Sequence, residues 1–134
     1  MAALLPALPA GAQGSDASFS PGPTTLIVPY AAGGLTDSLA RALGQRLSER
    51  WRQPVVVENR AGGGTVIGTT VAARAPADGR TLLVTSFGFT ANPFMVANLP
   101  YKPGALEPLA MIAVAPAVLF VHPSVPADDV PSLV

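Results

Sequence analysis

Apolar and polar positions along the chain alternate between two periods, short β-branched runs and longer stretches with helical spacing. Thr24–Val28 (TTLIV) predicts a buried strand, and Pro29 ends it because proline cannot donate to a ladder. A helix is predicted to start at Thr36 or Asp37, one residue capping and the other favouring the positive end of the helix dipole. Leu39, Leu43, Leu47 and Trp51 recur every four residues and, with Ala40, predict one apolar stripe. Arg41, Gln45, Ser48 and Glu49 fall on the opposite face, Arg50 and Arg52 sit near the negative end, and Pro54 forbids continuation.

The same alternation continues. Pro54–Glu58 predicts a second buried strand, residues 59–64 a glycine-rich turn, and Val66 to Arg74 a short helix weakened by Gly68 and its threonines. Residues 75–79 (APADG) carry turn chemistry. Thr81–Thr85 predicts a third strand and Ala91 to Ala97 a short helix, and two more strands are expected at Leu109–Val114 and Ala117–Val121. At the acidic pair Asp128-Asp129 another helix is expected to begin. Strands alternating with helices predict an α/β fold of βαβ units with a mostly parallel sheet. In such sheets ligands sit beyond the carboxyl ends of the strands. Here those ends carry Pro29–Thr36, Asn59–Gly64 and Thr85–Thr90, all rich in small and polar residues.

Composition narrows the chemistry. At 134 residues the chain is one domain at most, or part of a larger one. It is 49% hydrophobic and 12% charged, which argues against a disordered acidic or basic segment. Eight Lys+Arg balance eight Asp+Glu with no basic cluster, so no nucleic-acid partner is expected. The absence of cysteine excludes disulfides and thiolate metal sites, and a single histidine, His122, excludes a site built on two imidazoles. No cofactor and no metal are expected. No run of about 18 apolar residues is present to span a bilayer.

Both ends of the chain read as incomplete. In residues 1–20, Leu4, Leu5 and Leu8 lie among alanines, and Ala10-Gly11-Ala12 resembles a small-residue cleavage site. This reads as the later part of a secretory signal peptide without its Lys/Arg-bearing start. The alternative is an Ala/Pro tail of no function.

Chemistry concentrates at Pro29–Asp37. A strand end, two glycines and a helix start place backbone N–H groups where an anion can rest. The bare pattern equally fits an ordinary turn needing a positive φ. Neither GxGxxG nor GxxxxGK[ST] occurs, which leaves a nucleotide fold poorly supported. Asp37 and Glu58 could form a carboxylate pair, but a dipole-compensating role and a strand-end role explain them more simply. Ser86 lacks a G-x-S-x-G setting and reads as a hydroxyl that hydrogen-bonds a ligand. His122 reads as a strand-end residue without a catalytic role. Arg60 pairs with a carboxylate or is simply solvated.

The motifs PYAAGGLTDSLAR, QPVVVENRAGGG, IGTTVAARAPADGRTLL, TANPFMVANLPYKP and VHPSVPA, in that order, resemble the periplasmic solute-binding receptors of tripartite tricarboxylate transporters, the Bug-type family. The likeness runs from about Thr24 to Val134. It implies a type II periplasmic-binding-protein fold of two α/β lobes around a cleft, with no enzymatic activity. Residues 21–121 would supply the first part of lobe 1 and residues 122–134 the start of the crossover toward lobe 2, truncated. The implied ligand is a small carboxylate or organic anion, passed to a membrane permease from a periplasmic location. The family's first ligand loop falls on Pro29, Gly33, Gly34 and Asp37, and its second on Thr85, Ser86 and Gly88, with Thr90 and Asn92 following; Tyr30, Thr36 and Thr90 are expected to bind the ligand beside them. Departures from the family pattern are Ala31 and Ala32 for prolines, Leu35 for a third glycine, and Thr65-Val66 where Gly-Asn is frequent, which removes the asparagine amide. Two other readings stand beside it: a truncated remnant that binds nothing, and a nucleotide-using α/β enzyme.

Overall fold

The computed structural model describes residues 22–134; the leader reading of residues 1–20 lies outside them. Strand β1 (Thr24–Val28) leads to α1 (Leu35–Trp51), β2 (Val55–Asn59), a 3-10 turn (Gly63–Thr65) and α2 (Val66–Arg74). Strand β3 (Thr81–Leu83), α3 (Phe87–Met95), a second 3-10 turn (Pro103–Ala105) and α4 (Val130–Leu133) follow. The three strands form one parallel sheet in the order β2-β1-β3. Leu26 lies opposite Val57 on one side and Leu82 on the other.

That order determines the layers. The chain steps from β1 to β2 in one direction, then crosses back over β1 to β3. Right-handed crossovers in opposite directions put their helices on opposite faces of the sheet. Accordingly α1 packs on β1 and β2, whereas α2 packs on β1 and β3. Leu26 and Val28 are fully buried with Ala40 of α1 and Val84, and Val55, Val57, Leu82 and Tyr30 close around them. Gly68 of α2 is the closest approach on the other face. A Cβ there would meet the Arg60 carbonyl at 2.7 Å and Pro29 Cβ at 2.8 Å. Its absence lets the helix sit against the end of β1, so Gly68 is a packing requirement and not merely a weak helix former.

Several expectations are corrected. Helix α1 begins at Leu35 with Gly34 in the cap position and no side-chain cap bond, so Thr36 does not cap it. Its fully buried face is Asp37, Ala40 and Gly44, while Leu39, Leu43, Leu47 and Trp51 are half-buried along the flank. Helix α3 starts four residues before the expected Ala91, because Ser86 already has a cap conformation. Residues 106–129 contain neither expected strand, and His122 lies in an exposed turn with Ser124. Their β-branched composition favours strand, but a strand needs a partner. β1 is already paired on both sides, and among the described residues this segment pairs with neither outer strand, β2 or β3, each of which keeps one open edge. Leu109, Met111, Val114, Val118, Leu119 and Phe120 are exposed as a result. The final helix does start where the acidic pair predicts it, through a capping box between Asp129 and Ser132.

Candidate functional site

β1 and β3 are neighbours, yet the chain leaves their carboxyl ends toward opposite faces. This is the topological switch point, where open α/β sheets form a crevice. The two loops that leave it touch. Tyr30 Oη and Ser86 Oγ lie 2.8 Å apart in a hydrogen bond, and the Ser86 N–H donates to Tyr30 Oη at 3.3 Å. With its oxygen accepting from the amide, the phenol has its own proton to give to Ser86 Oγ.

Each loop then opens a helix toward the crevice. Gly33 takes a left-handed φ of 84°, which turns the chain sharply. Gly34 follows in extended conformation (φ −77°, ψ 173°), and no side chain fills its cap. The first bond of α1 runs from Ser38 N–H to Gly34 O at 3.0 Å. The N–H groups of Gly34, Leu35 and Thr36 precede it and have no helical carbonyl within reach. At α3, Ser86 is the cap residue, again without a side-chain cap bond, and the Phe89 N–H closes the first turn on Ser86 O at 3.2 Å. Two uncapped helix N-termini therefore flank the Tyr30–Ser86 contact, an arrangement suited to negative charge.

Asp37 has a different place. It is 3% exposed, and its carboxylate is taken up by protein donors. Oδ2 accepts from Gly33 N–H at 2.8 Å and from Arg41 Nε at 3.0 Å, and Oδ1 accepts from Asn59 Nδ2 at 2.9 Å. Arg41 Nη2 in turn donates to Asn59 Oδ1 at 3.0 Å. The Arg41 bond, then the Gly33 and Asn59 bonds, hold the carboxyl at about 2, below its ordinary 3.8 and against the opposing effect of burial. Asp37 thus fixes the loop from beneath, and the Gly33 N–H is spent on it. Glu58 ion-pairs with Arg60, so the two carboxylates work separately and Arg60 has its partner.

Of the expected set, Tyr30 and Ser86 are in direct contact, and Gly34 and Thr36 lie at the start of α1. Gly88 faces the turn instead: a Cβ on it would meet Thr65 Cγ2 and Oγ1 at 2.8 Å. Thr90 is exposed further along α3.

The sequence did not reveal the support by Asn59, and it placed Asn92 after the second ligand loop without its structural role. Asn59 also donates to the Tyr30 carbonyl at 3.2 Å, so one amide binds both ends of the β1–α1 loop. Asn92 donates to Gly64 O at 3.1 Å and to Thr65 Oγ1 at 3.0 Å, pinning α3 to the glycine turn. Thr65 is itself a β-branched residue at φ 79°, a strained conformation that this contact helps to hold. The signal for Asn59 was a lone amide ending an otherwise β-branched run.

Comparison with known proteins agrees with this fold. The sequence profile described as tripartite tricarboxylate transporter family receptor matches residues 39–134. Protein BugT of Bordetella pertussis is 40% identical over 115 residues, 84% of this chain and 35% of that protein. Among solved structures, R. palustris Rpa4515 with adipate superposes with a TM-score of 0.59 at 37% identity, covering 63% of this chain and 29% of its own. MatC from Rhodopseudomonas palustris with bound malate gives 0.57 at 35%, covering 62% and 29% of the two chains. The chain spans about a third of the length of the curated relative. The α/β fold and the Bug-type resemblance both stand, and the chain belongs to the tripartite tricarboxylate transporter receptor family.

Proposed function

We propose that this chain forms one wall of a solute-binding cleft that captures a small dicarboxylate or related organic anion, without chemical conversion. The supporting observation is the pair of uncapped helix N-termini joined through Tyr30 and Ser86 at the switch point. One carboxylate rests on the N–H groups of Gly34, Leu35 and Thr36, which gain an acceptor they otherwise lack. Ser86, Tyr30 and the start of α3 orient the ligand, and Thr90 lies beyond them. Because Asp37 and Arg41 neutralise each other, the attraction comes from oriented N–H groups and not from a side-chain cation. Adipate and malate, held by the two Rhodopseudomonas palustris relatives, share this demand for carboxylate recognition.

In the complete receptor a second lobe closes over the ligand and excludes water. Residues 1–20 supply the later part of a signal peptide for export to the periplasm, and the loaded receptor delivers its ligand to the membrane permease of the transporter.

Calorimetric titration of the 134-residue chain with adipate, malate, acetate and ATP tests this, with a circular-dichroism melt to establish folding. The expected result is a dissociation constant on the order of 1 mM for a dicarboxylate, about −4 kcal/mol, and none measurable for ATP. A folded chain that binds no carboxylate would favour the remnant reading, and binding of ATP alone would favour the enzyme.

A further inference from the structure

Two large apolar side chains open the helices whose leading loops meet at Tyr30 and Ser86, and both stand outside the core. Leu35, the first residue of α1, is 64% exposed, and Phe87, the first residue of α3, is 78% exposed. Helical spacing puts Leu35 well away from the buried face of Asp37, Ala40 and Gly44. In an α-helix the Cα–Cβ bonds tilt toward the N-terminus. A side chain at the first position therefore leans toward the cap, where the anion rests. The loops leading into both helices are joined by the Tyr30–Ser86 bond, so each apolar group opens a helix that starts beside that contact. The other exposed apolar residues of α3, Phe94 and Met95, lie at its far end.

Resting on the carboxylate reading above, we propose that the preferred ligand carries an apolar body next to its carboxylate. An alkyl chain or aryl ring would cover Leu35 and Phe87, and a compact hydroxylated diacid would be disfavoured. Each methylene moved from water onto such a surface strengthens binding roughly fourfold when fully covered. A hydroxyl placed against Leu35 and Phe87 loses water without gaining a partner from either side chain.

The test is calorimetric titration of the full chain with suberate, adipate and malate, repeated on L35A and F87A. Both substituted positions are exposed, and melts of the variants check that the fold is kept. Suberate is expected to bind tightest and malate weakest, with about a tenfold spread. Each variant should weaken suberate by roughly threefold to tenfold and malate by less than about twofold. Malate binding as well as suberate, or variants that weaken all three alike or none, would overturn the inference while leaving the carboxylate site standing. Absence of binding by all three would remove the site reading and this inference together.

Discussion

Asn59, the last residue of β2, donates its side-chain amide to Asp37 Oδ1 at 2.9 Å and so ties one strand's carboxyl end to the helix that follows its neighbour. The same amide donates to the Tyr30 carbonyl, and the loop between Tyr30 and Asp37 is thereby clamped at both ends. This clamp gives the Gly34–Thr36 amides a fixed direction without a capping side chain.

Replacing Asn59 by Ala removes both donors and the acceptor for Arg41. The expected cost is about 1–3 kcal/mol, because Asp37 and the Tyr30 carbonyl lose their partners. A urea titration that finds the midpoint unchanged would mean that the clamp contributes nothing.

Asp37 also sets an acid limit. Its native pKa of about 2 lies below the ordinary 3.8, so as pH falls the unfolded chain takes up the proton first. The stabilisation is complete above roughly pH 5, declines through 3.8, and is gone below 2. Asp37→Asn should be less stable than the parent at neutral pH, and the gap should close between pH 4 and pH 2, roughly the span of the two pKa values. Parallel stability curves over that range would contradict the assignment.

Two helical glycines should respond in opposite directions. At Gly44 an added Cβ meets Leu26, Val57 and Val55 side chains at 3.4–3.5 Å, ordinary contact. Gly44→Ala is expected to stabilise by about 0.5–1 kcal/mol through helix propensity. At Gly68 the added Cβ meets the Arg60 carbonyl and Pro29 below 3 Å, and Gly68→Ala is expected to destabilise by about 1–3 kcal/mol. Thermal melts of the pair check the contrast.

Tyr30→Phe deletes the link between the two loops but keeps the ring. The contact is exposed, so Tm should move little, while dicarboxylate affinity falls by about threefold to tenfold as Ser86 loses its orientation. A drop in Tm with affinity unchanged would make Tyr30 a structural residue only.

Much of this was legible in the residues, and the failures share a cause. β1 and α2 have the bounds that their β-branched run, Pro29 and the APADG turn predict. The parallel sheet followed from strands alternating with helices, and the small polar residues at three successive strand ends lie at its carboxyl edge. What escaped was whatever depends on a partner distant in sequence. Asn59 looks like a turn residue until the sheet order brings it beside Asp37, 22 residues earlier. Gly34 carries no side chain to announce a cap. Leu109–Val121 has strand composition, but composition alone does not dictate pairing, and this segment docks on neither open edge of the sheet.

The most direct measurement is a proton–nitrogen NMR titration of the labelled chain with adipate, read amide by amide. The predicted result is saturable shifts at Gly34, Leu35, Thr36 and Phe87, with the Gly33 amide, bonded to Asp37, moving far less. Shifts confined to the groove between α1 and β2 around Gln45, Ser48 and Val55, or none at all in a folded chain, would contradict the account.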